Sequence, residues 1–306
     1  MPLVTSKEML IDAQKNGYAV GAFNANNLEY VQAIVEAAEE EEAPVILQAS
    51  QGAIKYAGLD QIVAMVKVAA EAASVPVVLH LDHGTDFFQN VRCLRAGFTS
   101  LMFDGSSLPF EENVAITKKV TEIAHACGIP VEAELGKVPQ VGVTPEEVRA
   151  LMTKPEEALR FVEETQCDSL AVAVGSVHQM KVQEAKLDIE RIAKIREITG
   201  IPLVLHGASG VTDEGYREGI KAGICKINIA TELNKAFTRG MKAAMEKDPS
   251  VVDPRKIAGV GREEIKKVIK AKMRLFGASG KARNFVAKGV GYGGRQELSA
   301  SDLKKE

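Results

Sequence analysis

The sequence predicts an α/β protein built as one (β/α)8 barrel, and three observations carry that expectation. Eight short apolar, β-branched runs alternate with longer stretches of helical period along the 306 residues. The runs are apolar nearly throughout, as parallel strands buried on both faces are. They also end repeatedly in polar or metal-ligating residues, and in such barrels the strand C-termini build the site.

YAVGAFN (18–24) opens the series and LEYVQAIVEAAEEEE (28–42) follows it with apolar residues at helical spacing. PVILQAS (44–50), VPVVLHLDH (75–83) and SLMFDGS (100–106) give strands two to four, and NVAITKKVTEIAHACG (113–128) is the next clear helix. PVEAELG (130–136) and SLAVAVGS (169–176) give strands five and six. DIERIAKIREITG (188–200) ends on Gly200, a usual helix stop. PLVLHGAS (202–209) and ICKINIAT (224–231) complete the eight, and helices at 232–247 and 262–275 follow without further strands. Eight units favour a closed barrel over an open sheet, and no GxGxxG fingerprint supports a dinucleotide fold. Residues 1–282 are therefore expected to form a single barrel domain with extra C-terminal helices. The tail from about Gly277 is rich in Gly, Ala, Ser and Lys, and 283–306 reads as a C-terminal extension, flexible or ordered only on binding.

Composition narrows the function. Hydrophobic content of 46% and charged content of 26% are those of a soluble globular protein. A net charge of −3 offers neither the basic excess that nucleic acid demands nor a polybasic run for a membrane surface. No apolar run reaches membrane-span length, and MPLVTSKEML reads as mature protein rather than a signal peptide. Four cysteines without CxxC spacing argue against disulfides and a cysteine zinc site, and fit a reducing cytoplasm.

The chain has five histidines. His83, His178 and His206 lie at or just past the ends of strands three, six and seven, so they converge on the barrel mouth. Three imidazoles with an open fourth position make a catalytic zinc site rather than a structural one. His80 and His83 are three apart, so a regular pleat aims only one of them at the mouth. His125 sits late in a helix and is given no role. Asp82 beside His83 can serve as general acid or base, or orient a histidine. Glu132 and Glu134 share a strand face, and either one, or Asp104 from strand four, can ligate metal, carry a proton or belong to an internal polar network. HGASG (206–210) and NIAT (228–231), each at a strand-to-helix junction of the last two units, suit a phosphate held by backbone N–H groups.

Taken together, GAFN (21–24), HLDHG (80–84), MFDGS (102–106), VEAELG (131–136), AVGSVH (173–178), PLVLHGASG (202–210) and KINIATEL (226–233) resemble the class II ketose-bisphosphate aldolases, from about Met1 to about Ala282. DPRK (253–256) and MRLFGASGKA (273–282) look like that family's C-terminal region. The resemblance implies a divalent metal, usually Zn2+, on His83, His178 and His206, with Asp82 as proton donor to the aldehyde-derived oxygen. It implies phosphate on backbone at Gln179, at Gly207, Ala208 and Ser209, and at Asn228, Ile229, Ala230 and Thr231. It also implies Asn24 and Ser50 on the substrate, Asp104 and Glu134 at a second metal position, a monovalent cation such as Na+ or K+ near the phosphate, and a homodimer or homotetramer.

Three departures from the family pattern stand out. The mobile loop of Gly-Gly-x-Glu-Asp type is replaced by GKVPQVGVTPEEVRALMTKP (136–155), in which TPEE reads as a helix start. Gln179 stands where glycine usually follows the sixth-strand histidine. Ala230, Glu232 and Asn234 stand at Asp, Asp and Arg positions of the fructose-bisphosphate branch, so KINIATEL looks more like the tagatose-bisphosphate branch. The expected activity is cleavage of fructose or tagatose 1,6-bisphosphate to dihydroxyacetone phosphate and glyceraldehyde 3-phosphate. A relative with another aldehyde partner, such as a deoxy-ketogluconate phosphate, and a catalytically impaired sugar-phosphate binder remain open. A Schiff base on Lys226 would leave the histidines unexplained.

Overall fold

The computed structural model describes residues 3–178 and 184–285. Its strands are β1 (Val20–Asn24), β2 (Val45–Ser50), β3 (Val77–Asp82), β4 (Leu101–Phe103), β5 (Val131–Leu135), β6 (Ser169–Val172), β7 (Leu203–Leu205) and β8 (Ile224–Ile229). All pair in parallel, in the order β3-β2-β1-β8-β7-β6-β5-β4. The ring closes between β3 and β4 through single bridges, His80 with Ser100 and Gly84 with Phe103, rather than a full ladder. Each strand is shorter than its apolar run: β1 and β2 start later but end with their runs, whereas the other six stop before the last residues of theirs, which lie beyond the strand end.

The first four helices are α1 (Ser6–Asn16), α2 (Leu28–Glu40), α3 (Gln51–Ala57) and α4 (Leu59–Ala72), followed by α5 (Phe87–Ala96) and α6 (Phe110–Ala126). The rest are α7 (Pro145–Ala150), α8 (Pro155–Thr165), α9 (Ile189–Thr199), α10 (Asp213–Ala222), α11 (Thr231–Lys247) and α12 (Pro254–Leu275). Their starts follow from side-chain acceptors: Asn27, Asp86, Asp188 and Asp253 each receive a first-turn N–H. α12 begins eight residues before the expected 262, because Asp253 caps it and Pro254 suits its first turn. α9 ends on Gly200 in left-handed backbone, as its sequence suggests.

The chain's beginning closes the bottom of the barrel. Val4 N–H donates to Val77 O, and Ser6 Oγ lies 2.7 Å from Ser100 Oγ. Lys7 of α1 reaches Asp168, just ahead of β6, at 2.8 Å. His125 of α6 meets the same carboxylate at 2.7 Å, and Val131 N–H donates to it at 2.8 Å. At the other terminus, the stretch expected to be flexible from Gly277 is anchored as far as Phe285. Gly280 N–H and Ala282 N–H donate to Glu41 O and Glu42 O, and Arg274 and Ser279 hold the Glu41 carboxylate. Residues 286–306, most of the expected extension, lie outside the described residues.

Asp168 thus serves three donors while itself nearly buried. Asp168→Ala is expected to lower the unfolding free energy by about 2 kcal/mol, the cost of stranding a buried N–H and losing its ionic partners. Urea denaturation followed by circular dichroism checks this, and an unchanged midpoint would refute it.

Candidate active site

Strand parity builds the site. Side chains two apart on a strand share a face, so each inward residue has a successor one layer nearer the mouth. On β3 these are His80 and Asp82, on β5 Glu132 and Glu134, and on β8 Lys226 and Asn228. Off the ends of β4 and β7, Met102 leads to Asp104 and Val204 to His206. Met102, Ala171 and Val204 form a small apolar cluster of their own in the interior. Register β2–β3 sets Gln48 beside His80 and Ser50 beside Asp82.

His83 breaks the parity. The pleat would turn it outward, but its backbone is left-handed at φ 51°, which brings the ring round to the mouth. Both His80 and His83 therefore point into the barrel, one layer apart, where a regular pleat would allow only one. A left-handed conformation costs a non-glycine residue on the order of 1 kcal/mol. Gly84 follows because a Cβ there would sit 2.5 Å from Met102 O.

The lower layer is a buried ionic network. Lys226 Nζ lies 2.8 Å from Glu132 Oε2 and 3.4 Å from His80 Nε2. Glu132 Oε1 accepts from His206 Nε2 at 2.9 Å, so His206 turns Nδ1 to the cavity. His80 Nδ1 is bonded to Ser100 Oγ at 2.7 Å. Burial works to raise the Glu132 carboxyl, but Lys226 and the His206 bond outweigh it and hold it ionised. Burial, with Lys226 adding to it, pushes His80 down to about 3. Glu132 and Lys226 are thus polar-network residues, one of the roles left open for Glu132.

The upper layer faces a cavity of about 550 Å3. His206 Nδ1 and His83 Nε2 approach to 3.0 Å, and one donor atom each from Asp82, His83 and His206 lies within 4.8 Å of the others. His83, Asp104 and Glu134 form a second such set, with His83 Nδ1 at 2.7 Å from Asp104 Oδ2. His178 lines the cavity, its ring centroid 5.9 Å from that of His83, but it stands outside both tight sets. Asn24 Nδ2 donates to Asp82 Oδ2 at 2.7 Å, and Asn24 is itself held by Gln48 at 2.8 Å. Ser50 lines the cavity while its hydroxyl caps α3.

Charge is crowded here. Burial, with Asp104 adding to it, pushes Glu134 up to about 8, and its Oε2 has no hydrogen-bond partner among the described residues. Burial opposes the His83 imidazolium, yet Asp82 and the Asp104 bond lift it to about 10. Burial works upward on Asp82, and His83, His206 and Lys226 bring it below the ordinary carboxylate value. Burial lowers His178 to about 4 and also lowers His206. A buried set of imidazole nitrogens and carboxylate oxygens with an unpartnered acceptor fits a divalent cation.

A backbone cradle continues from His206 and Asn228 in the same cavity. Gly207 is left-handed at φ 63°, where a Cβ would meet Val138 at 2.7 Å, and Ala208–Gly210 form a 3-10 turn ahead of α10. α11 starts at Thr231 after Ala230, whose side chain cannot cap it, so its first turn gains no N-cap acceptor. Gly207, Ala208, Ser209, Asn228, Ile229, Ala230 and Thr231 all line the cavity, and Ser209 Oγ is buried without a partner among the described residues. Gln179 lies outside the described residues.

With that geometry in place, residues 4–281 match the family described as class-II fructose-bisphosphate aldolase. The chain belongs to the class-II fructose-bisphosphate aldolase family. It is a lyase on a (β/α)8 barrel. It is 50% identical over 287 residues to a fructose-bisphosphate aldolase of Geobacillus stearothermophilus, a match spanning 92% of this chain and 99% of that one. A fructose-bisphosphate aldolase of Staphylococcus aureus is 47% identical over 289 residues, 92% of this chain and all of that one. The crystal structure of the YdjI aldolase from Escherichia coli K12 superposes with a TM-score of 0.79 at 36% identity, covering 92% of this chain and 99% of that one.

Relative to the aldolase pattern, the 136–155 segment holds the short helix its TPEE suggested. Thr144 and Glu147 form a reciprocal cap and Glu146 pairs with Arg149, all exposed, so neither acid reaches the cavity. Lys137, Val138 and Gln140 of this segment do line it, and none was singled out from sequence. Gln48 and Ser106, which hold Asn24 and Asp104, were missed as well. The signal for Gln48 was a polar residue at inward parity within an apolar run.

Lys226→Met would strand the Glu132 carboxylate in the barrel interior. Chemical denaturation of this metal-free variant is expected to show a loss of about 3–5 kcal/mol. A loss below about 1 kcal/mol, as for an exposed pair, would show that the interior is open to water.

Proposed function

We propose that the chain is a zinc-dependent aldolase that cleaves a ketose 1,6-bisphosphate, fructose or tagatose, to dihydroxyacetone phosphate and glyceraldehyde 3-phosphate. The observation that carries this reading is one cavity lined by both a histidine–carboxylate cluster and a Gly-containing backbone cradle at two helix starts. His83, His178 and His206 would hold the ion, with Asp104 and Glu134 offering a second position. When bound, the ion supplies Lewis-acid stabilisation of the negative charge that develops on the three-carbon fragment.

Asp82 is the proton carrier in this reading. Its carboxylate is held from both sides, by Asn24 at 2.7 Å and Asn228 Nδ2 at 3.3 Å, with its charge favoured by His83. An ionised carboxylate takes the proton of the substrate's C4 hydroxyl during cleavage and returns it to the aldehyde oxygen during condensation. The cradle from Gly207 to Ser209 and from Asn228 to Thr231, with Gln179, grips the phosphate remote from the reacting bond, so that its binding energy orients the reacting carbons. Asn24 and Ser50 touch the sugar. A Na+ or K+ ion beside the phosphate, a homodimer or homotetramer and a cytoplasmic setting complete the proposal. No helix among the described residues is long and apolar enough to cross a membrane. The family and the names of the relatives favour fructose 1,6-bisphosphate. Ala230 at the cradle, and a 136–155 segment without an acid in the cavity, keep the tagatose isomer and other aldehyde partners in the panel.

Cleavage of fructose and tagatose 1,6-bisphosphate should be measured side by side, with and without chelator. Activity is expected to vanish with chelator and return with Zn2+. Full activity in metal-stripped protein would refute the proposal. Asp82→Asn is expected to lower kcat by roughly 10²- to 10⁴-fold with bound zinc unchanged, whereas His206→Ala is expected to lose the zinc itself.

A further inference from the structure

α12 lies outside the eight βα units, yet it reaches residues that adjoin the cradle. Lys272, on its inner face, has a side chain only 8% exposed, and its Nζ lies 2.9 Å from Glu232 Oε1. Glu232 is the second residue of α11 and lines the cavity beside Thr231. The same ammonium stands 4.9 Å above the ring of Tyr216 on α10. Tyr216 is fully buried, and its hydroxyl donates to Ala208 O at 2.6 Å. One buried cation therefore touches the supports of both halves of the cradle: the α11 start through Glu232, and the 208–210 turn through Tyr216.

We propose that Lys272 is a positioning residue for the phosphate, neutralising Glu232 at the cradle's edge and bracing the Ala208 turn through Tyr216. An anion cradle made of backbone N–H groups carries only partial positive charge, and a full carboxylate on its rim opposes an incoming phosphate. Glu232 also competes with the phosphate for the N-terminus of α11, which favours any nearby negative charge. Lys272 cancels the first effect and draws the carboxylate toward α12. Among the described residues, Glu232 is the carboxylate paired with Lys272. The cation–ring contact fixes the height of Tyr216 under the turn whose carbonyl it holds.

This inference rests on the reading of the cradle as a phosphate site, and the experiment separates the two. Inorganic phosphate is used as a competitive inhibitor of ketose-bisphosphate cleavage by the zinc-loaded enzyme. Competitive inhibition of the wild type supports the cradle; its absence would overturn the reading of the cradle itself. Lys272→Met is expected to raise the phosphate inhibition constant and KM by roughly tenfold or more, with kcat changing less, as for loss of a charge partner in a part-buried site. Lys272→Arg is expected to stay near wild type. Removing the carboxylate as well, in Glu232→Gln with Lys272→Met, is expected to restore most of the phosphate affinity, which a merely structural lysine would not allow. An inhibition constant unchanged in Lys272→Met, or a double variant no better than the single one, overturns the proposal. Should Lys272→Met fail to fold, Glu232→Gln alone carries the test. It is expected to tighten phosphate binding, and unchanged or weaker binding overturns the proposal.

Discussion

The interior of this barrel depends on one ion pair. Lys226 and Glu132 sit where neither charge is tolerable alone, and their mutual attraction makes a polar layer possible beneath the site. From that layer the rest is geometry. Glu132 has a second oxygen to offer, and His206 takes it, which fixes which ring nitrogen meets the cavity. Strand parity then sets Glu134, Asn228 and Asp82 directly above Glu132, Lys226 and His80. The site is in effect the second storey of a polar core whose ground floor must be satisfied first.

The upper storey is balanced differently. Its carboxylates and imidazoles are held in opposed protonation states, with Glu134 driven toward its neutral form and His83 toward its charged one. Part of the backbone is strained as well, since His83 adopts a conformation that glycine prefers. Groups held so far from their solution preferences gather at functional sites, and a cation is the kind of occupant that relieves them. The backbone at Gly207–Ser209 and Ala230–Thr231 lines the same cavity as this cluster.

Much of this was legible in the sequence, for definable reasons. The eight strands were visible because apolar β-branched runs are conspicuous. The cavity-lining residues were visible because strand C-termini in a barrel share one destination. Asp82, Asp104 and Glu134 needed only parity, as did His206. What parity could not supply was the local exception: the left-handed turn at His83, which lets two histidines three apart face the same interior. Nor could one chain reveal long-range partners. Lys226 reads as an unexplained charge within an apolar run until Glu132, from a strand 94 residues earlier, is set against it. The anchoring of 277–285 was hidden for the same reason, since its Gly-rich composition suggests looseness while its backbone N–H groups find carbonyls on the far side of the chain. The aldolase pattern added what spacing alone cannot, a family for the constellation, and it also marked the 136–155 segment as one of three places where this chain departs from that pattern.

The thin closure between β3 and β4 gives the site a second meaning. Where other neighbouring strands are stitched by backbone ladders, these two meet through isolated bridges and through the His83–Asp104 bond, which spans the gap at its upper end. Two side chains of the site therefore join the few backbone bonds that clasp the barrel here. The closure of the ring and the cluster share His83 and Asp104, so an occupant that draws these two residues together also tightens the hoop.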